Sequence, residues 1–349
     1  MAVITADQLI MTAPDDWHLH LRDGALLQST VAASARQFRR AIIMPNLNPP
    51  VRDAAEAAGY YQRIKAAAAG ADFEPLMVLY LTDATTPEMV RAAAAGGLVK
   101  ACKLYPAHAT TNSAHGVTSL KALYPTFEAM AECGLLLLVH GEVTDQDVDI
   151  FDRERVFIDQ KLRQVIDHLP GLKVVFEHIT TAEAADFVMS GPATLAATIT
   201  PQHLLYNRNH LLVGGIRPHN YCLPVLKRRQ HQQALQRVVA SGSPRFFLGT
   251  DSAPHLQHNK ETSCGCAGCY SAPAALELYA ELFEQLGILD KLEGFASHHG
   301  PDFYGLPRNS SSVTLRRQPW QVADKIAVGE DALVPFYAGQ TLNWRQVEN

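Results

Sequence analysis

The stretch LLLLVHGE, residues 135–142, runs through five apolar residues and then ends on His140, Gly141 and Glu142. A strand with one face in water alternates apolar and polar residues. An unbroken apolar run belongs to a strand covered on both faces, as in a parallel sheet. Seven further candidate strands, mostly of the same character, are DWHLHLRD (16–23), AIIMPN (41–46), EPLMVLYLT (74–82), LVKACKLY (98–105), LKVVFEHI (172–179), LAATITPQ (195–202) and RFFLGTDS (245–252). Helical stretches lie between them. Residues 52–69 are rich in Ala and Glu, and 119–133 are followed by Gly134, where a helix C-cap favours glycine. Residues 152–169 stop before Pro170-Gly171, and 223–240 stop at Ser241-Gly242. Eight strand–helix alternations predict an α/β fold of (β/α)8 TIM-barrel type. The competing open, doubly wound sheet lacks support, because no G-x-G-x-x-G follows any of the strands.

No Pro/Gly/Ser linker or low-complexity block divides the 349 residues. The expectation is therefore one domain over 1–349, with a barrel core at about 16–305, a short N-terminal extension and a C-terminal extension over 306–349 of irregular structure and short strands. The chain is 47% hydrophobic and 19% charged with a net charge of -5, a globular composition with no basic run for nucleic acid. No apolar run approaches the length of a membrane span, and MAVITADQLI has neither the basic nor the apolar region of a signal peptide. The expected location is the cytoplasm, with no membrane or nucleic-acid partner. Cys102, Cys133 and Cys222 read as small core residues. Cys264, Cys266 and Cys269 form C-x-C-x-x-C, but no fourth ligand is evident nearby, so a glycine-punctuated loop is the plainer reading.

The ionisable residues in the apolar runs are not scattered at random. Most stand toward the C-terminal ends of their strands: His18, His20 and Arg22 on the first, Asn46 on the second, Lys100 and Lys103 on the fourth, His140 and Glu142 on the fifth. The later strands add Glu177 and His178, His203, and finally Asp251 and His255. In a barrel those ends share one face, which carries the active site. Strand parity puts His18, His20 and Arg22 on one side and Trp17, Leu19 and Leu21 on the other, where they would pack on helices. A single strand histidine is more often a hydrogen-bonded core residue, a single lysine a snorkelling one, and a single aspartate a turn residue. Burying so many polar groups around one mouth without a common purpose would be costly. Several imidazoles with a carboxylate suit zinc.

His-x-His on the first strand, Lys103, His140, His178 and Asp251 together resemble the amidohydrolase superfamily. The words DDWHLHLRDG, IMPNLNPP, KLYPAHATTNSAHGV, LLLVHGEVT, VVFEHITT, ATITPQHL, YCLPVLKR and GTDSAPH with SCGCAGC resemble its shorter bacterial-type (class II) dihydroorotases, from about Asp16 to Gly305. The resemblance implies two Zn2+ per subunit: His18, His20 and Asp251 on the first, His140 and His178 on the second, bridged by a carboxylated Lys103 and a hydroxide. A protonated ammonium has no lone pair for a metal, whereas a carbamate offers two oxygens. Lys103 takes that role from the word KLYPA, while Lys100 has the opposite parity and should face helices or solvent.

The resemblance also implies substrate contacts from His20, Arg22, Asn46 and His255, from the backbone of Leu223 and Ala267, and from Thr110 and Thr111 on a loop that closes over the substrate. A guanidinium fork suits a carboxylate. His203 matches no ligand position. The implied reaction is the reversible interconversion of N-carbamoyl-L-aspartate and dihydroorotate in de novo pyrimidine (UMP) biosynthesis. Hydroxide attacks the ring amide carbonyl and Asp251 acts as general base and then acid; the protein is expected to be a homodimer. The alternative within the superfamily is a hydantoinase, dihydropyrimidinase or allantoinase, whose ring substrates without a carboxylate would not need Arg22, Asn46 and His255 together. A scaffold or metal store of another class would have no need of Asp251.

Overall fold

The computed structural model describes residues 2–347. All eight apolar runs contain strands: β1 Asp16–Leu19, β2 Arg40–Ile43, β3 Glu74–Tyr80, β4 Val99–Leu104, β5 Leu136–Val139, β6 Val174–Phe176, β7 Leu195–Ile199 and β8 Phe246–Leu248. Each pairs in parallel with the next. The ring closes just beyond the regular strands. Leu19 bridges Ser252, the Asp251 amide donates to the His18 carbonyl at 2.9 Å, and the His20 amide donates to the Ser252 carbonyl at 3.1 Å. The buried Asp16 carboxylate reinforces this seam, accepting from the Thr250 amide (2.9 Å), the Thr250 hydroxyl (2.6 Å) and the His18 amide (3.1 Å). The fold is the (β/α)8 barrel expected from the alternation.

Helices surround the barrel, and their ends follow local chemistry. Asp53 caps Ala54–Ala67 by accepting from the Glu56 amide, and Thr181 caps Ala182–Ser190 from the Ala184 amide. Gly134 ends Tyr124–Cys133 in the left-handed conformation (φ 74°), where a side chain would be strained. The helix expected over 223–240 begins only at Arg229 and runs to Ser241. Residues 223–228 form a loop: Pro224 disfavours helical backbone at Leu223, and the Pro224 and Lys227 carbonyls are taken by His203 and the Arg208 amide.

One apolar layer lies between strands and helices, and a second fills the barrel interior with Trp17, Ile42, Val78, Leu138, Val175 and Phe247 among others. This corrects one expectation. Leu19 and Leu21 do pack in the outer layer, but Trp17 points into the barrel. The β1–β2 register slips between Asp16 and Leu19, and such a bulge resets side-chain alternation. Trp17 stacks on Tyr304 (ring centroids 4.3 Å apart), closing the N-terminal end. Gly300 makes that possible, since a Cβ there would sit 1.9 Å from the Trp17 indole nitrogen.

The C-terminal extension is more regular than its sequence implied. Ser312–Gln321 and Thr341–Val347 join Gln8–Thr12 and Val3–Ile4 in a four-stranded antiparallel sheet. It is tied to helix Ala275–Gln285 by the Asn343 amide donating to Glu281 (3.0 Å) and the Trp344 indole donating to Glu284 (3.1 Å). Among the described residues, no helix is long and apolar enough to cross a membrane.

Candidate active site

The C-terminal ends of the strands converge on one cavity. His18, His20, Arg22, Asn46, Thr110, Thr111, His140, His178, Leu223, Asp251 and Ala267 all line it. Of the residues the resemblance assigned to metal or substrate, Lys103 and His255 stand outside the lining. Lys103 lies beneath it, 0% exposed, and His255 lies behind Arg22.

Several site residues have unusual backbone conformations. Arg22 (φ 58°), His178 (φ 41°) and Asp251 (φ 43°) are left-handed, a conformation that costs a non-glycine residue about 1–3 kcal/mol and persists only where its surroundings impose it. Regular pairing in β1 stops at Leu19, so this turn, not continued strand parity, brings Arg22 to the cavity beside His18 and His20.

At the floor, His18 Nε2 lies 3.3 Å and His20 Nε2 3.1 Å from the same oxygen of Asp251, and the two imidazole nitrogens are 3.2 Å apart. On the other side, His18 Nδ1 is 3.1 Å from Glu177 Oε1, a charge contact without hydrogen-bond geometry. Glu177 Oε2 accepts from the Lys103 ammonium. The His178 ring centroid lies 5.0 Å from that of His18 and 4.8 Å from that of His140.

Burial and neighbouring charge set the protonation states. Burial alone would push Asp251 up, but His18 and His20 hold it well below the ordinary carboxylate range. Burial lowers His20 to about 4 with help from Arg22, against the pull of Asp251. Burial, Lys103 and His140 carry His178 well below its usual value. His18 is the exception: burial opposes its charge, but Glu177 and Asp251 raise it to about 9. Burial also lowers the Lys103 amine, against the attraction of Glu177.

These residues fit a divalent metal. Two groups offer donor atoms within 4.8 Å of one another: His18, His20 and Asp251, and His18, Glu177 and His178. His20 and His178 are neutral, with free lone pairs, and the Nδ1 atoms of both are buried without a hydrogen-bond partner among the described residues. Anionic oxygen with the neutral imidazoles of His20 and His178 is a donor set suited to zinc, and His18 would give up its proton to join it. His140 and Lys103 stand beside these groups; His140 Nε2 is 2.9 Å from Glu142.

Above the floor, Arg22 Nε donates to the Pro254 carbonyl (3.1 Å), and Arg22 Nη2 lies 2.9 Å from His255 Nε2. That same imidazole nitrogen is 3.0 Å from the Ala267 carbonyl. Arginine only donates and a carbonyl only accepts, so His255 Nε2 can satisfy one of them at a time. Burial, Arg22 and Lys260 lower His255 to about 2, so it is neutral. The loop bearing Thr110 and Thr111 is drawn over the cavity. Asn46 Nδ2 donates to the Thr111 carbonyl (3.0 Å), Asn112 Nδ2 to the Asn46 carbonyl (2.9 Å) and Tyr80 to the Asn112 carbonyl (3.2 Å), while the Thr111 hydroxyl reaches Ala267 across the mouth (3.4 Å).

Two residues near the floor were given no role by sequence reasoning. Glu177 is fully buried between His18 and Lys103; its signal was a charge inside the apolar run VVFEH. Tyr105 lines the cavity with a buried hydroxyl that has no hydrogen-bond partner among the described residues, and nothing in its sequence distinguishes it from a core tyrosine. Lys100 faces outward as expected, donating to the Gly97 carbonyl. His203 has Nδ1 2.7 Å from the Thr200 hydroxyl and Nε2 2.9 Å from the Pro224 carbonyl.

Comparison with known proteins agrees with this geometry. The amidohydrolase family model matches residues 9–328. A dihydroorotase of Pseudomonas aeruginosa is 63% identical over 344 residues, covering 98% of this chain and 99% of that protein. The structure of dihydroorotase from Campylobacter jejuni superposes with a TM-score of 0.90 at 34% identity, covering 100% of this chain and 99% of the other. Dihydroorotase from Saccharomyces cerevisiae in complex with 5-fluoroorotic acid gives 0.90 at 32% identity, covering 98% and 99%. The chain belongs to the amidohydrolase family, within its dihydroorotase branch.

Proposed function

We propose that this cavity interconverts N-carbamoyl-L-aspartate and dihydroorotate, the ring-closing step of de novo pyrimidine biosynthesis. The observation that carries the reading is the juxtaposition of a carboxylate trap with a metal-binding floor: Arg22, backed by His255, opens onto the same cavity as His18, His20 and Asp251. The relatives named above, similar over nearly the full chain, support it, and the yeast relative's ligand is itself an acid.

His18, His20 and Asp251 would hold one zinc and His140 and His178 a second, with a carboxylated Lys103 between them. Burial lowers the Lys103 amine below its ordinary pKa, which favours the neutral form that carbamate formation requires. Zinc bound there would bring the pKa of a water toward about 7 and polarise the scissile carbonyl.

The chain's own groups do the rest. Arg22, Asn46 and His255 hold the substrate carboxylate, His20 adds a contact from the floor, and the backbone at Leu223 and Ala267 fixes the ring. Much of the rate comes from this positioning. Asp251, an anion beside His18 and His20, accepts the proton of the attacking water and returns it to the ring nitrogen as the amide bond breaks; cyclisation reverses these transfers. Thr110 and Thr111 close over the substrate and exclude solvent. The chain is further read as a cytoplasmic homodimer of one domain.

A hydantoinase-type activity is the competing reading, and Arg22 with His255 argues against it, since a ring without a carboxylate leaves that guanidinium unpaired. The test follows loss of the dihydroorotate ring amide by ultraviolet absorbance, with and without a chelator. Metal-dependent turnover that Asp251→Asn abolishes without unfolding the protein is the expected result. Turnover of hydantoin or dihydrouracil in preference to dihydroorotate would overturn the reading.

A further inference from the structure

Lys260 ends the short helix Gln257–Lys260, is 3% exposed, and has no place in the chemistry above. Its ammonium has three hydrogens. They go to three backbone carbonyls: Tyr221 at 2.8 Å, Cys266 at 2.7 Å and Gly268 at 2.8 Å. None of the three acceptors is a carboxylate. Burying a cation against neutral carbonyls is expensive, and a free ammonium would be better off in water.

The location of those carbonyls gives the arrangement a use. Cys266 and Gly268 flank Ala267, and Tyr221 lies two residues before Leu223; Ala267 and Leu223 both line the cavity. The Gly268 amide also donates to the Tyr221 carbonyl (2.9 Å), joining the two segments directly. With the carbonyls on either side of it turned to Lys260, Ala267 directs its own carbonyl to His255 and to the Thr111 hydroxyl of the closing loop. Gly268 allows this path: at φ 154° its Cβ would meet the Ala253 carbonyl at 2.4 Å.

We infer that Lys260 is a positioning residue for substrate recognition. It clamps the two segments that present Leu223 and Ala267, and thereby sets one wall of the cavity and the docking point of the lid. This rests on the substrate reading above, but the clamp itself can be tested without it.

Lys260→Met keeps the length and apolar stem while removing all three donors; Lys260→Arg restores charge and donors. Lys260→Met should raise KM for dihydroorotate by about tenfold or more while kcat changes by less than about threefold, with metal content unchanged and Lys260→Arg recovering part of the KM. Hydrogen exchange at the Gly268 and Cys266 amides should speed up in Lys260→Met and not in Lys260→Arg, whichever substrate the enzyme turns over. Unchanged exchange at both amides would overturn the clamp. Faster exchange with KM within about twofold of wild type would overturn its role in recognition. Should Lys260→Met not fold, Lys260→Gln, which keeps one donor group, carries the same comparison. Failure of wild-type protein to turn over dihydroorotate would reject the substrate reading and leave the exchange result standing.

Discussion

Glu177 accepts from the Lys103 ammonium with one oxygen and faces His18 Nδ1 with the other, 3.1 Å away. One buried carboxylate therefore touches two residues assigned to metal binding. Carboxylates behind ligating imidazoles fix the ring and raise its basicity. Replacing Glu177 with Gln preserves shape and removes the charge. The expected result is a roughly 10- to 100-fold loss of metal affinity in a folded protein, read by chelator titration and circular dichroism. Unchanged metal affinity and turnover would remove Glu177 from the site.

Arg22→Met should act on substrate rather than metal. A hydrogen bond to a charged group contributes about 1.5–3 kcal/mol, so KM should rise by roughly tenfold to a hundredfold, with metal content as in wild type. If steady-state kinetics return the wild-type KM and kcat, the carboxylate trap is wrongly assigned.

Lys103→Ala should bind little metal and have little activity. Short carboxylic acids such as acetate or propionate, added at high concentration, should restore part of both by supplying the missing oxygens. A mutant that retains two zinc ions per chain by elemental analysis, with no acid added, would show that nothing bridges through Lys103.

His203 provides a pH test away from the metal-binding residues. Its Nε2–H donates to the Pro224 carbonyl, and in the neutral ring its Nδ1 accepts from the Thr200 hydroxyl 2.7 Å away. Burial lowers it from 6.5 to about 4. Between those values the unfolded chain binds a proton that the folded chain does not, so stability is complete above about pH 6.5 and declines as pH falls toward 4. The loss attributable to this residue is up to about 3 kcal/mol. His203→Gln should flatten Tm against pH over that range in metal-depleted protein; an unaltered slope would place the acid sensitivity elsewhere.

Much of this was legible in the sequence, for reasons that can be traced residue by residue. Mostly continuous apolar runs identified the strands because each is covered on both faces; the first, DWHLHLRD, alternates and was read from its place in the strand–helix order. The polar residues at their ends marked the cavity because nothing in a core calls for them. Other features depend on contacts between distant parts of the chain. Ser312–Gln321 is a strand only because Gln8–Thr12 pairs with it, a partnership between opposite ends of the chain. Trp17 turned inward because a bulge interrupts alternation, and Arg22 reached the cavity through left-handed backbone that a strand pattern does not foresee. Glu177 was visible as a buried charge, but its partners came from β1 and β4, and only the closed barrel brings them together.

The seam between β1 and β8 has a consequence for the life of the chain. Asp16 and Thr250, which stitch it, are 234 residues apart. His18 and His20 leave the ribosome early, but Asp251 follows only after every intervening strand has been made. A growing or truncated chain that lacks the last strand carries two imidazoles without their carboxylate. A metal position built from these three residues would form only when the barrel closes, and metal bound there would favour the closed ring over any opened one. Metal loading of such a position would report completed folding, and chelation should then loosen the molecule first at the seam between β1 and β8.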